Sequence, residues 1–354
     1  MPMAFEPALS PPPPATTPRN VVVLMRHGDR AMIPRKAGSL DLSHLESAWE
    51  GLMPTIEEQA AMERIPVHLS EEQGSNSYAA YVGARPWGQL TSRGVAQCKA
   101  VGAELKRRYP VAKVRAFSTN FPRTKQSAAA VLIGFGAGQE VPIVVRSASE
   151  EVLLPNFDGR CVRYKELRAR LAAKAEEDPL RQMSKELEAD LRPILGEQPL
   201  GLVLDFRPLC IHEDTLGVVA GIDWTLMHRI EQYKATIEAV VHEDVELVRL
   251  ASGRLLHWVI DLLAKPGHEV VLMLAHDNML TAFLVALGIF RREWPIYASA
   301  VVVESAEFDG EMKVRVHINN EVRRDWVSWK EFVQSVSSLA MTSDQYESAC
   351  SSCA

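Results

Sequence analysis

The stretch Val21-Val22-Val23-Leu24-Met25-Arg26-His27-Gly28-Asp29-Arg30 joins an apolar run to a dense cluster of charged and titratable side chains. Its apolar half is short, β-branched and free of polar alternation. That is the pattern of a strand buried on both faces in a parallel sheet. A second such run, Val270–Ala275, leads directly into His276-Asp277. A third strand pattern, Lys113–Thr119, is followed by Asn120-Phe121-Pro122-Arg123-Thr124, a turn that opens a helix. In open parallel sheets, ligands bind in the crevice outside the carboxyl ends of the strands. Neighbouring strands would therefore bring two histidines, three arginines and an aspartate to one place. The expected fold class is α/β: a three-layer core with a mainly parallel central sheet, plus an inserted helical cap.

Those residue types suit an anion, and phosphate in particular. Arginine presents a rigid fork of donors that matches phosphate oxygens and stays charged at any working pH. Arg26 and Arg30 bracket His27, and Gly28 permits close backbone approach and a sharp bend after the strand. A neutral imidazole attacks phosphorus and forms a covalent intermediate that water later cleaves. Nearby arginines depress the pKa of His27, so its neutral form persists into mild acid. His276 is placed to donate to phosphoryl oxygens, and Asp277 to protonate the leaving oxygen. Arg123 arrives at the same sheet edge. Three arginines there argue against a bound metal cation and for a bound anion. Each piece alone has an ordinary reading: a solvated Arg-His pair, an Asp capping a helix, a surface charge. Their conjunction at three strand ends carries the argument. Asp29 is the exception, read simply as pairing with an arginine.

At these residues the chain resembles the histidine acid phosphatases, branch 2 of the histidine phosphatase superfamily, which includes prostatic and lysosomal acid phosphatases and phytases. Arg26–Arg30 looks like the first family signature and His276-Asp277 like the second. Gly88–Gly94 with Gln97, Ser118-Thr119 with Arg123-Thr124 and Ser127-Ala128, Cys161–Leu167 and Pro295–Ser299 follow in the same order. The resemblance runs from about residue 21 to about residue 320. It implies a metal-independent phosphomonoesterase of the acid phosphatase type. His27 would accept the phosphoryl group, Arg26, Arg30, Arg123 and His276 would bind it, and Asp277 would protonate the leaving alcohol. It implies no metal and no organic cofactor. The rival reading is a catalytically silent phosphate- or inositol-phosphate-binding or interaction module on the same fold. Two departures stand out. Ala31 and Met32 follow the first signature where relatives place a proline two residues on. The stretch from Ala31 to Trp87 is also long, carries amphipathic pieces such as Ser47–Met53, and reads as a lid that shapes substrate choice.

The 354 residues, 47% of them hydrophobic, suffice for a large core. A net charge of -6 gives no support for nucleic acid as a partner. No apolar run is long enough to span a bilayer. The expected partner is a small-molecule phosphate monoester; the oligomeric state is left open, a dimer included. Met1–Asn20 is proline-rich, with Pro11–Pro14, and lacks the basic and apolar regions of a signal peptide. Five scattered cysteines do not form a disulfide framework, and no Asn-X-Ser/Thr sequon occurs. Both favour a reducing, cytoplasmic setting. The terminal pair Cys350 and Cys353 is read as inert.

The expected organisation is a disordered tail over 1–20, a discontinuous α/β core over 21–155 and 267–334, a helical cap over 156–266, and a Ser-rich tail over 335–354. Helical periodicity covers Tyr164–Glu177, Asp178–Leu195 with Leu180, Met183, Leu187 and Leu191 on one face, Trp224–Val241 and Val245–Leu263. Met183 and Trp224 read as packing residues. His212-Glu213-Asp214 reads as a cap loop rather than a metal site, because three consecutive residues rarely converge on one ion. His44, His68, His228 and His257 carry no partner pattern. Val301–Glu304 and Met312–Ile318 form a hairpin around Asp309-Gly310. Beyond Phe332 the chain is expected to fray.

Overall fold

A computed structural model describes residues 18–31, 49–70, 86–110, 112–156, 159–175, 180–195 and 223–351. The three apolar runs become strands β1 (Pro18–Arg26), β3 (Lys113–Ser118) and β5 (Glu269–Ala275). With β2 (Val67–Leu69), β4 (Ile143–Val145), β6 (Ala300–Phe308), β7 (Glu311–Ile318) and β8 (Glu321–Ser328) they form one eight-stranded sheet. The order is β2-β4-β3-β5-β1-β6-β7-β8. The five strands from β2 to β1 run parallel, and β6 to β8 extend the sheet antiparallel.

Period-two alternation distributes the central side chains between two cores. From β1, Val21, Val23 and Met25 face one side; from β5, Val270, Leu272 and Leu274 join them. Helices α2 (Ser92–Arg108) and α3 (Pro122–Phe135) cover that face with Val95, Val101, Leu105 and Ala128–Leu132. Val22, Leu24, Val271 and Met273 face the other side, under α7 (Val245–Ala264) and α8 (Asp277–Ala286). The three layers match the sequence reading.

Helix ends follow local chemistry. Thr91 caps α2 by accepting from the Gly94 N–H, and Lys106, Arg107 and Arg108 complement the dipole at its far end. Pro122 opens α3, where its missing N–H costs nothing, and Gly136 closes it at φ 74°. Earlier in the chain, α1 (Ile56–Glu63) starts with a Thr55–Glu58 capping box. The cap helices α4 (Val162–Ala175), α5 (Leu180–Leu195) and α6 (Trp224–Val241) lie where periodicity places them.

The structure differs from the sequence reading at several points. The helix α7 is a layer of the core rather than part of the cap, because its apolar residues are seated on β1 and β5. Part of the stretch expected to form a lid joins the core instead. There, β2 pairs with β4, and Met62 and Ile65 pack in the cluster under α2 and α3. The remainder, 32–48 and 71–85, lies outside the described residues, as do the Pro-rich start, His44, Cys353 and His212-Glu213-Asp214. The Asp309-Gly310 hairpin is present, with φ of 52° and 80°. A second one follows at Asn319-Asn320, φ 48° and 74°, and adds β8, a strand the sequence reading did not anticipate. Asparagine tolerates the left-handed region, which is what this two-residue turn requires.

The expected frayed end is the clearest correction. Helices α9 (Trp329–Val336) and α10 (Ser343–Ser351) continue the fold past residue 332. Phe332 and Val336 fill the core beneath the sheet. Tyr346 and Cys350 pack with Tyr164, Leu167, Val241 and Leu247. Cys350 is also bonded to Cys161, 189 residues earlier, so it is not inert. Spacing alone could not pair them: Cys161 immediately precedes the first cap helix and Cys350 lies in the C-terminal helix α10. A disulfide removes one of the two grounds for a reducing setting.

This cross-link restricts the unfolded chain over a long loop, so it contributes about 2–4 kcal/mol. Dithiothreitol is therefore expected to lower the melting temperature of the wild-type protein and to leave that of Cys350→Ser, already lower, unchanged. An unaltered wild-type melting curve on reduction would count against the contribution.

Candidate active site

Strands β3, β5 and β1 are adjacent and parallel, so their carboxyl ends open at one edge of the sheet. Arg26 pairs with Ala275 and Ser118 with Leu274, which sets His27, His276 and Thr119 side by side. The His27 N–H donates to Ala275 O and the Thr119 N–H to Leu274 O, so the ladder continues one residue past each strand. Asp277 begins α8, with His276 at the cap position, and Arg123 lies in the first turn of α3. All six residues singled out from the sequence, Arg26, His27, Arg30, Arg123, His276 and Asp277, are thereby brought to this edge.

The loop that carries His27, Gly28 and Asp29 is clamped against the start of α2. A Cβ on Gly28 would lie 2.6 Å from Gly94 O and 2.9 Å from Cys98 Sγ, so the glycine serves close approach. Gly94 returns the constraint: its Cβ would sit 2.1 Å from Asp29 O. The Asp29 carboxylate accepts from the Thr91 hydroxyl at 2.6 Å, and its N–H donates to Gln97. Asp29 is thereby tied to the cap of α2. The Gly28 N–H donates to Ser127 Oγ on α3 at 3.0 Å.

The imidazole of His27 has a defined orientation. Its Nδ1 lies 2.9 Å from Gly28 O, and a carbonyl oxygen only accepts. Nδ1 therefore carries the hydrogen, and Nε2 holds the lone pair. Burial, then the charges of Arg123, Arg26 and Arg30, hold this ring well below its ordinary pKa of 6.5. Burial and the same guanidinium groups also keep His276 neutral, against the opposing pull of Asp277. The two rings meet edge to face at 5.5 Å.

Arg26 is held on three sides. Its guanidinium donates to Pro295 O at 2.7 Å, pairs with Asp277 at 2.8 Å and lies 4.2 Å over the Tyr297 ring. Arg30 donates to Ala31 O. Among the described residues, the buried Nε atoms of Arg26 and Arg30 have no hydrogen-bond partner. Buried donors of this kind call for an acceptor, and an anion supplies one. Burial alone would raise the pKa of Asp277. Arg26 and Lys234, the latter reaching from α6 to 3.9 Å, outweigh it and hold the carboxyl well below the usual range. Among the described residues, no cluster of three or more His, Cys, Asp or Glu side chains is arranged to hold a metal. No helix there is long and apolar enough to cross a membrane.

Several contributors were not assigned roles from sequence. Tyr297 lies 5.5 Å from His27 as well as under Arg26. Ala298 adopts φ 58°, and its N–H donates to His27 O. Such strain in a non-glycine residue is tolerated where surrounding contacts enforce it. Thr119 and Thr124 bond in a chain to His276. Lys234 also rests on the Trp294 ring at 4.0 Å, joining the cap to the site. Tyr297 and the threonines sit inside the stretches that carried the resemblance. Lys234 lies on a helix with no local signal for a functional role.

The family described as histidine phosphatase superfamily (branch 2) matches residues 19–197. Among curated proteins, lysophosphatidic acid phosphatase type 6 of Mus musculus is 26% identical over 245 residues, 61% of this chain and 57% of that protein. The same-named protein of Bos taurus is matched over 56% of its length, so the chain spans little more than half of these relatives. Lysosomal acid phosphatase of Bos taurus is 25% identical over 344 residues, covering 88% of this chain and 72% of that one. Among solved structures, Hafnia alvei phytase in complex with myo-inositol hexakis sulphate superposes with a TM-score of 0.63 at 13% identity, over 94% and 99% of the two chains. At that identity the likeness is one of fold.

The backbone contact between Gly94 and Asp29 leaves no room for a methyl group. Gly94→Ala is expected to destabilise the protein by about 1–3 kcal/mol, read as a lower denaturation midpoint. It should also weaken binding of inorganic phosphate, since the displaced loop carries His27 and Arg30. A variant as stable as wild type would disprove the clamp.

Proposed function

From its membership of the histidine phosphatase superfamily, branch 2, to which this chain belongs, we propose that it is an acid-phosphatase-type phosphomonoesterase working through a phosphohistidine on His27. The observation that carries this reading is the Nδ1–Gly28 O hydrogen bond, which leaves the Nε2 lone pair of a neutral ring among three guanidinium groups. Arg26, Arg30 and Arg123 take the phosphoryl oxygens, with His276 beside them. Nε2 attacks phosphorus, a P–N bond forms and the P–O bond to the alcohol breaks. Asp277 gives its proton to the departing oxygen. A water then gives a proton to Asp277 and attacks phosphorus, which releases phosphate and restores neutral His27.

Asp277 is ionised before substrate arrives, because Arg26 and Lys234 favour its charge. A phosphoryl dianion on Arg26 removes much of that preference and adds a like charge nearby. Both changes raise the carboxyl's pKa, so Asp277 takes up a solvent proton as substrate seats, and that proton is the one passed to the departing oxygen. No step in this scheme uses a metal or an organic cofactor. The substrate class is small-molecule phosphate monoesters.

His27→Ala is expected to abolish hydrolysis of p-nitrophenyl phosphate and to leave no phosphate-labelled protein after acid quench. Wild-type activity in that variant would overturn the nucleophile assignment. Asp277→Asn is expected to slow alkyl monoesters by about a hundred- to ten-thousand-fold, the range of general-acid catalysis. It should slow p-nitrophenyl phosphate much less, since that leaving group is stable without a proton. Equal losses on both substrates would exclude the acid role.

A further inference from the structure

The tautomer of His276 is set at both ends of its ring. Nε2 lies 3.0 Å from Thr119 Oγ1, which lies 2.9 Å from Thr124 Oγ1. Thr124 Oγ1 is in turn 2.9 Å from two carbonyl oxygens, those of Thr119 and Phe121. Carbonyls only accept, so the Thr124 hydroxyl hydrogen goes to one of them. The Thr119 hydroxyl then donates to Thr124 and accepts from His276 Nε2–H. At the other end, Nδ1 lies 3.4 Å from Arg123 Nη2. A guanidinium only donates, so Nδ1 must carry a lone pair. The two arguments are independent and agree. Thr119 and Thr124 are completely buried, so no water competes for these bonds.

An anion among Arg26, Arg30 and Arg123 would meet that lone pair, not a hydrogen. Donation from His276 to a phosphoryl oxygen would then require a proton that the free ring does not carry at Nδ1. We infer that Thr119 and Thr124 are positioning residues that commit the one ring hydrogen of His276 to Nε2, so that seating an anion at the pocket requires uptake of a proton at Nδ1. The inference rests on the reading of this pocket as a phosphoryl site. In the free protein the proton is unwelcome: burial and the three arginines oppose it. Anion binding removes that opposition, and the Nδ1–H formed with a solvent proton donates to an anion oxygen.

The groups facing His276 are His27, Arg26 and Arg30 from β1 and its loop, Arg123 and Thr124 from α3, and Asp277 from α8, with Lys234 beyond the last. His27 and Asp277 are also able to take up protons when an anion binds. Their contribution is common to wild type and threonine variants, so differences between them report on His276. The sign follows from linkage. The free ring is neutral and the anion-bound ring charged, so affinity falls as pH rises between the two pKa values, by about tenfold per pH unit for one proton.

Sulfate is the probe, since it keeps a double charge throughout and any pH dependence belongs to the protein. Its affinity is measured by calorimetry at successive pH values on both sides of the ordinary histidine pKa of about 6.5. For Thr119→Val, which cannot accept from Nε2, the ring is free to present Nδ1–H without taking a proton. Its slope is expected to be shallower by about one proton, tenfold per pH unit. Thr119→Ser keeps the hydroxyl and should restore the wild-type slope. Equal slopes in wild type and Thr119→Val would overturn the inference. Nitrogen-15 NMR of the full chain, with His276 assigned by His276→Asn, gives a second reading. A free-protein signal protonated at Nε2 and bare at Nδ1 supports the inference, and the opposite tautomer refutes it. Failure of sulfate to bind at any pH would instead refute the phosphoryl-site reading, and the NMR signal would still decide the tautomer.

Discussion

Everything at the candidate site depends on the parallel pairing of β1 with β5. The two strands lie some 249 residues apart in sequence, as the bond between the Glu269 N–H and the Asn20 side chain records. Closing so long a loop has an entropic cost that grows only slowly with length. The pairing offsets it by burying Val21–Met25 and Val270–Ala275 almost completely on both faces. Asn20 pins the register at the amino ends, its side chain donating to Leu262 O in the last turn of α7 and to Lys265 O at its C-cap. A slip of one residue would exchange the two cores and separate His27 from His276. Register therefore governs chemistry as well as packing.

The site concentrates positive charge where water is scarce, and the fold makes this tolerable in several ways. Arg26 is neutralised in part by Asp277 and supported by Pro295 O and the Tyr297 ring. Arg123 lies over Phe121 and beside a neutral His276. Both histidines surrender their charge rather than add to the excess. The same field that favours an anion thus keeps the His27 ring neutral, with a lone pair on Nε2. Removing Asp277 would take away the carboxylate paired with Arg26, so that side chain has a structural duty.

Cap and core are joined from opposite ends of the chain. Lys234 reaches from α6 toward Asp277 and rests on Trp294. On the far side, Cys161 at the start of α4 is bonded to Cys350 in α10, and Arg254 of the core helix α7 lies 4.0 Å over the Tyr346 ring. Arg163 adds a two-pronged pair to Glu246 across the same boundary. Movement of the cap relative to the sheet is accordingly restrained on one side by a covalent bond and packed aromatics.

By itself the sequence determined the buried strands, the cap helices and the six residues at the strand ends. The reason is local: unbroken β-branched runs, helical periodicity and the Arg-His and His-Asp strings all carry their signal within a few residues. It also foretold the Asp309-Gly310 turn, though not the Asn319-Asn320 one, where asparagine in place of glycine gave a weaker mark. Only tertiary structure decided what depends on partners distant in sequence. Serines at the carboxyl end suggested fraying, yet Phe332, Tyr346 and Cys350 find apolar partners and a disulfide far upstream. Helix α7 carries the same periodicity as its cap neighbours, and only the sheet beneath it makes it core. The direction of the hydrogen on His276 belongs to the same class. It follows from two threonines and an arginine that the folding of β3 and α3 sets against the end of β5, and no reading along one segment could assign it.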